Sequence, residues 1–296
     1  MRRALVTGAS RGIGRALVTE LAGRGLEVVA TARRVADLDG VPAAARLPLD
    51  VTSDASVQRA AEVAGPIDLL VNNAAFSVAA PVEDTPAGVA LAMLDTNVVG
   101  PLRMISAFLP GMRARGGGTV VNVSSVAGRA VFPLNGVHAA SKHALEALSE
   151  ALAMAAGPLG IRVLVAQLGS VATGMYQQQE RYVSSTYAHL DRAQEDSFEE
   201  HQAHQASPKQ VAAAIADAVA DTMGTGHDGY RRSAARADRA GRRVDARRAG
   251  APGRHRLGHP GPRAHPIELG GNRPAMTDDT DSRDVLELVE RWAVPP

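Results

Sequence analysis

A glycine-punctuated turn near the start of the chain limits the possible architectures more than any other feature. Thr7-Gly8-Ala9-Ser10-Arg11-Gly12-Ile13-Gly14 follows an apolar run, Ala4–Thr7, and opens a helical pattern over 12–23. In a strand–loop–helix unit of this kind the three glycines have separate tasks. Gly8 permits the tight turn, Gly12 lets backbone approach a pyrophosphate, and Gly14 lets the helix pack close to the strand. The phosphates then sit on the helix N-terminus, where free N–H groups and the macrodipole favour anions. A lone glycine triplet is weak evidence, whereas one placed between a strand and a helix is strong.

The rest of the chain repeats the same rhythm. Ala4–Thr7, Glu27–Thr31, Leu47–Leu49, Ile67–Val71, Thr119–Val123 and Arg162–Gln167 read as strands. They are continuous apolar runs, the pattern of strands covered on both faces. Helical segments lie between and after them at 12–23, 53–64, 86–114, 136–156 and 207–221. The last begins with Ser207 as N-cap, Pro208 at the first helical position and Gln210 three residues after the cap. Such alternation predicts an α/β fold, a doubly wound parallel sheet of the Rossmann type with helices on both faces. Residues 176–206 are polar and rich in Gln, Glu and His, and they fall where a lid over a ligand cleft is inserted.

Composition bears on the two ends of the argument. The chain has no cysteine, so disulfides, thiolate nucleophiles and Cys-type zinc sites are excluded. No apolar run is long enough for a transmembrane helix and the first residues do not read as a secretory signal, so a cytoplasmic protein without membrane partners is the expectation. The net charge of +1 conceals an uneven distribution, because residues 226–275 hold 12 Arg against 4 acidic residues, with 9 Gly and 5 Pro. An acidic stretch follows. The expectation is a domain over 1–225 and a poorly structured tail over 226–296, either disordered or read in a shifted frame near 222–230. With no strand-like run after the last helix, the sixth strand is then left as a raw sheet edge. The basic run lacks aromatic interleaving, so no specific nucleic acid is expected as a partner. Glu199-Glu200-His201-Gln202-Ala203-His204 reads as a solvated lid helix, and no metal site is expected.

Six ordered motifs carry a more specific resemblance. They are the T-G-x-x-x-G-I-G loop, Asp50-Val51, Asn72-Asn73-Ala74, Asn97-Val98-Val99-Gly100, Ser124-Ser125-Val126-Ala127-Gly128 and Ala140-Ser141-Lys142. Over about residues 3–221 the chain resembles the short-chain dehydrogenase/reductase family. The resemblance implies an oxidoreductase that moves a hydride between a nicotinamide cofactor and a carbonyl or secondary alcohol. It implies that Gly8, Ser10, Arg11, Gly12, Ile13 and Gly14 receive the phosphates. Asp50 and Val51 would hold the adenine, Asn73 would line the ribose path, and Val171 and Thr173 would meet the carboxamide. It also implies a homodimer or homotetramer through the helices at 86–114 and 136–156. The end of the second strand, Thr31-Ala32-Arg33-Arg34, carries no acid to bind ribose hydroxyls, while Arg33 and Arg11 suit a 2′-phosphate. NADP(H) is therefore the preferred cofactor, with NAD(H) the other that the fold accepts.

On the family pattern the catalytic group is an asparagine, a serine, a tyrosine and a lysine. Asn97, Ser125 and Lys142 fall on three of these positions. The fourth, four residues before Lys142 and thirteen after Ser125, is His138. Lysine and residue 138 lie one helical turn apart on one face. Three readings stand: an alternative general acid, a non-catalytic NADP(H)-binding sensor or scaffold of the same fold, or a lesion. Two further departures are Leu168-Gly169, where proline usually precedes the glycine, and Ala75, where glycine is usual and a positive φ is in question.

Overall fold

The computed structural model describes residues 2–201, 205–224 and 230–233. Seven parallel strands form the main sheet in the order β3-β2-β1-β4-β6-β7-β9. They are β1 (Arg3–Val6), β2 (Glu27–Ala32), β3 (Ala45–Pro48), β4 (Leu69–Asn72), β6 (Gly118–Ser125), β7 (Ile161–Leu168) and β9 (Tyr230–Ser233). A small parallel pair, β5 (Val78–Ala79) and β8 (Glu180–Arg181), joins the insertion to the segment after β4. The helices are α1 (Gly12–Gly23), α2 (Asp54–Ala64), α3 (Ala87–Leu94), α4 (Gly100–Ala114), α5 (Gly136–Ala156), α6 (Met175–Gln178), α7 (Ala188–His201) and α8 (Pro208–Gly224).

Strand residues alternate between two separate cores, which is why the strands are apolar without a break. Ala4, Val6, Val28, Ala30, Leu69 and Val71 face one layer with Leu17, Val18 and Leu21 of α1 and Ile215 and Val219 of α8. Leu5, Val29, Leu70 and Val120 face the other, with Met104, Phe108 and Met112 of α4 and Ala153 of α5. Each buried aliphatic side chain contributes about 1.5–3 kcal/mol relative to exposure. The α8 start forms as its sequence predicts: Ser207 Oγ accepts from Gln210 N at 3.2 Å, and Gln210 Oε1 accepts from Ser207 N at 2.9 Å.

One expectation needs correction. β9 follows α8 and pairs in parallel with β7, Val163 opposite Tyr230 and Ala166 opposite Ser233. β7 is therefore not a raw edge. Tyr-Arg-Arg-Ser carries no apolar run because a last strand has only one neighbour to pair with, so the periodicity that reveals internal strands is missing. The supposed shifted frame and tail, apart from these four residues, lie outside the described residues. The span 86–114 is also not one uniform helix, because a π-helical turn, Asp95–Val99, separates α3 from α4. The order reverses at β1 and β4, so the cleft opens at their carboxyl ends, where such sheets bind ligands.

Candidate active site

The loop between β1 and α1 is built around close approaches. Gly8 and Gly12 have φ of +64° and +54°, which side chains disfavour. A Cβ on Gly14 would lie 2.3 Å from Gly8 O and 2.6 Å from Asn73 Nδ2. Asn73 Nδ2 donates to Thr7 O at 2.9 Å and Gly8 O at 3.1 Å. The Asn73 amide thus shapes the phosphate loop itself, a role the sequence did not indicate. Arg11 caps α1 without a side-chain hydrogen bond to its N–H groups, and no acid lies in the first turn. Those donors, together with the glycine cradle, fit the pyrophosphate of a dinucleotide. Ile13 packs on the core behind the loop, and Ser10 is half-buried within it. Thr173, which would approach within 3.3 Å of a Cβ on Gly12, closes the far side; its amide donates to Val171 O at 2.8 Å.

The residues expected to meet the adenosine are held by local bonds. Asp50 Oδ1 accepts from the Thr52 hydroxyl at 2.7 Å and the Thr52 amide at 2.9 Å. These bonds hold the Asp50 carboxyl below its usual range, with burial opposing them and the Arg33 and Arg103 charges assisting. Val51 is buried against Gly100, where a Cβ would come within 2.9 Å. Arg33 is exposed, whereas Arg34 is held by both oxygens of Asp37 at 3.1 and 2.7 Å. Arg11 is paired with Gln178 of α6, so the phosphate loop touches the insertion.

At the other end of the cleft the π-helical turn directs Asn97 inwards, where it is 1% exposed. Asn97 Oδ1 accepts from Phe76 N at 3.1 Å, and its Nδ2 donates to Phe76 O at 2.9 Å and Ser141 Oγ at 3.1 Å. Ser141 Oγ in turn donates to His138 O at 2.7 Å. Ser125, at the end of β6, accepts from Ala127 N at 3.1 Å, which leaves its hydroxyl proton to donate. Lys142 is buried and its Nζ donates to Val123 O at 2.9 Å. Asn97 is thus tied through Ser141 to the backbone of His138, and Lys142 is tied to β6, the strand that ends at Ser125. Phe76, whose backbone Asn97 clasps, and Ser141 complete the arrangement. Only Ser141 left a trace in sequence, as part of Ala-Ser-Lys. Ala75 adopts no positive φ, so alanine fits there without strain.

His138 is 8% exposed, and its Nδ1 is buried without a hydrogen-bond partner. Burial, then the Lys142 charge, lowers its pKa to about 4, against a backbone hydrogen bond at Phe76. Burial lowers Lys142 to about 8, with Glu146 opposing. At neutral pH the imidazole is therefore uncharged, able to donate one N–H or to accept a proton. A pH dependence of stability follows. The unfolded histidine binds a proton near pH 6.5 and the folded one only near 4, so the unfolded state binds more protons between them. Stability should fall as pH drops through this window, by up to roughly 3 kcal/mol from this one group. Urea melts at about pH 7 and 4.5 should show the loss in the wild type and a smaller one in His138→Phe. Equal slopes would contradict the burial of the imidazole.

Among the described residues, no group of three His, Asp or Glu could hold a metal, and no helix is long and apolar enough to cross a membrane. Comparison with known proteins agrees with the geometry. The family model described as short chain dehydrogenase matches residues 2–183. Human 17-beta-hydroxysteroid dehydrogenase type 1 is 36% identical over 223 residues, 70% of this chain and 67% of that protein. A solved short-chain dehydrogenase from Streptomyces avermitilis superposes with a TM-score of 0.70 at 32% identity, covering 80% of this chain and 88% of the other. A metagenomic short-chain oxidoreductase in complex with NADP superposes with a TM-score of 0.54 at 30% identity, covering 57% and 81%.

Proposed function

The chain belongs to the short-chain dehydrogenase/reductase family, an oxidoreductase family, and from that premise we propose that it binds NADP(H) and transfers a hydride between it and a carbonyl or secondary alcohol. The observation that carries the reading is the convergence of Asn97, Ser125, His138 and Lys142 beside a phosphate loop with free helix N–H groups. NADP(H), when bound, supplies or accepts the hydride. The remaining chemistry belongs to the chain. The Ser125 hydroxyl donates to the substrate oxygen, and the His138 ring, whose Nδ1 has no hydrogen-bond partner, is the group to which we assign the proton movement. A neutral imidazole accepts the proton of an alcohol more readily than it releases one to a ketone. The arrangement therefore suits alcohol oxidation at neutral pH better than reduction, and reduction gains as pH falls. Lys142 keeps a positive charge one helical turn from His138 and, by the family resemblance, is also a cofactor-binding residue.

Apolar groups around the start of α5 and in the insertion bear on the substrate class. Val82 and Val131 are exposed near the start of α5, and Tyr176 stacks on Phe198 with ring centroids 3.8 Å apart. These surfaces support a medium-sized, largely apolar ketone or alcohol, and the relative named a hydroxysteroid dehydrogenase is consistent with that class. Exposed Leu102, Leu148 and Met154 on α4 and α5 support a homodimer or homotetramer through those helices. We assign the folded domain to the residues up to β9.

Preference for NADP(H) rests on Arg33, which is exposed, and on Arg11, whose partner Gln178 is neutral, whereas the charge of Arg34 is paired with Asp37. Charge-assisted bonds of this type are worth roughly 1.5–3 kcal/mol, so Arg33→Ala with Arg11→Ala should weaken NADPH by about tenfold or more. NADH, which lacks the extra phosphate, should change little, and Ala32→Asp should shift preference towards it. Fluorescence titration with both cofactors checks this, and equal weakening of the two would contradict it.

A further inference from the structure

Helix α5 carries ionisable groups at three successive turns of its buried face: His138, Lys142 and Glu146. The first two belong to the reaction centre and the third does not reach it. Glu146 is 6% exposed, and a carboxylate so placed needs partners. Its Oε2 accepts from Gln167 Nε2 at 2.8 Å and lies 3.6 Å from Arg129 Nη2. Its Oε1 has no hydrogen-bond partner, and a Cβ added to Gly128 would lie 3.2 Å from it. Gln167 stands near the end of β7, just before the segment that carries Val171 and Thr173. Arg129 stands in the connection from β6 to α5, between Ser125 and His138.

We propose that Glu146 is a positioning residue for the reaction centre: its buried carboxylate, one helical turn from Lys142 on the same face of α5, sets a negative charge near that ammonium and fastens to the lysine's helix the two segments that carry Ser125 and Thr173. The inference rests on the NADP(H) reading given above. Only one of the two Glu146 oxygens has a hydrogen-bond partner among the described residues. Its charge is also the one that opposes the effect of burial on Lys142. The other charged groups on elements packed against α5 are placed differently. Asp95 of the π-helical turn is held by Arg103 at 2.7 Å, and Arg162 stands at the opposite end of β7 from Gln167. Without Glu146, the buried ammonium of Lys142 would keep its bond to the Val123 carbonyl but lose the negative charge that opposes the effect of burial.

The test is the pH dependence of NADPH affinity, read by fluorescence from about pH 6 to 9 with full-length protein. Wild type should lose affinity as Lys142 deprotonates near pH 8. Glu146→Gln keeps the side-chain shape and removes the charge, so its midpoint should move down by about one pH unit or more. Arg129→Gln, at the surface end of the cluster, should move the midpoint up, because a positive charge beside the carboxylate is gone. A lower melting temperature for Glu146→Gln with an unmoved midpoint would overturn the proposal, since a purely structural role predicts that pattern. If Glu146→Gln does not fold, Arg129→Gln decides, and a midpoint that stays or falls is contrary. Wild-type protein that binds no NADPH overturns the cofactor reading and this inference with it. Wild-type binding with unmoved variants overturns this inference alone.

Discussion

Replacing His138 by tyrosine raises kcat for ketone reduction by at least about an order of magnitude, within the 10²–10⁴-fold range of general-acid contributions. The reason lies in which group can release a proton at neutral pH. The buried imidazole is neutral, and its remaining N–H is a hydrogen-bond donor but a very weak acid. A phenol in the same place, beside the ammonium of Lys142, is pulled towards its ionised form and gives up its proton more readily. The gain should be greater for reduction than for alcohol oxidation, where neutral imidazole already serves as acceptor. His138→Ala should lower oxidation by about 10²-fold or more, while NADPH affinity stays within about twofold, because the ring acts on the transition state. Steady-state rates in both directions, with cofactor affinity measured separately, check this. Rates indifferent to both substitutions would remove His138 from the chemistry.

Gly14→Ala is the second large effect, and it acts on the cofactor. Its new Cβ would stand 2.3 Å from Gly8 O, a backbone atom that cannot swing aside, and 2.6 Å from the Asn73 amide that braces the loop. Relieving the overlap means separating α1 from β1 or breaking the Asn73 bonds. Overpacking of this kind costs about 1–3 kcal/mol in stability, and a displaced loop should lower NADPH affinity at least about tenfold. Gly23→Ala, in the same helix with open space around its Cβ, is the control. It should stabilise by up to about 1 kcal/mol through helix propensity. Thermal melts and cofactor titration of the pair distinguish contact from composition, and equal behaviour of the two would contradict the close approach.

The parts of the molecule legible in sequence are those where local chemistry and burial agree. Helices α1 and α5 run over the residues that their patterns mark, because each has a full apolar face and a glycine at a natural start. The internal strands are legible because each is covered on two faces by α1 and α8 or by α2, α4 and α5. β9 escaped, since a four-residue last strand with two arginines has no such pattern. β5 and β8, of two residues each, are made by pairing across the insertion and have no local signature. In the site, Asn97, Ser125, His138 and Lys142 could be placed by their spacing against the pattern of the family the chain resembles. The clasp of Asn97 on the Phe76 backbone could not, because a bond to main chain leaves no mark on residue type. The burial of Glu146 was hidden for a related reason: its partners Arg129 and Gln167 come from two other segments.

On the reading proposed above, this chain moves a hydride with NADP(H) despite the histidine at position 138. Purified protein mixed with NADP⁺ and a panel of secondary alcohols, and with NADPH and the matching ketones, tests it through the nicotinamide absorbance. The wild type should turn over in the oxidising direction at neutral pH, and reduction should strengthen on acidification and in His138→Tyr. Tight NADPH binding with no turnover of any substrate, by the wild type and by His138→Tyr alike, would contradict it and leave a cofactor-binding protein without chemistry.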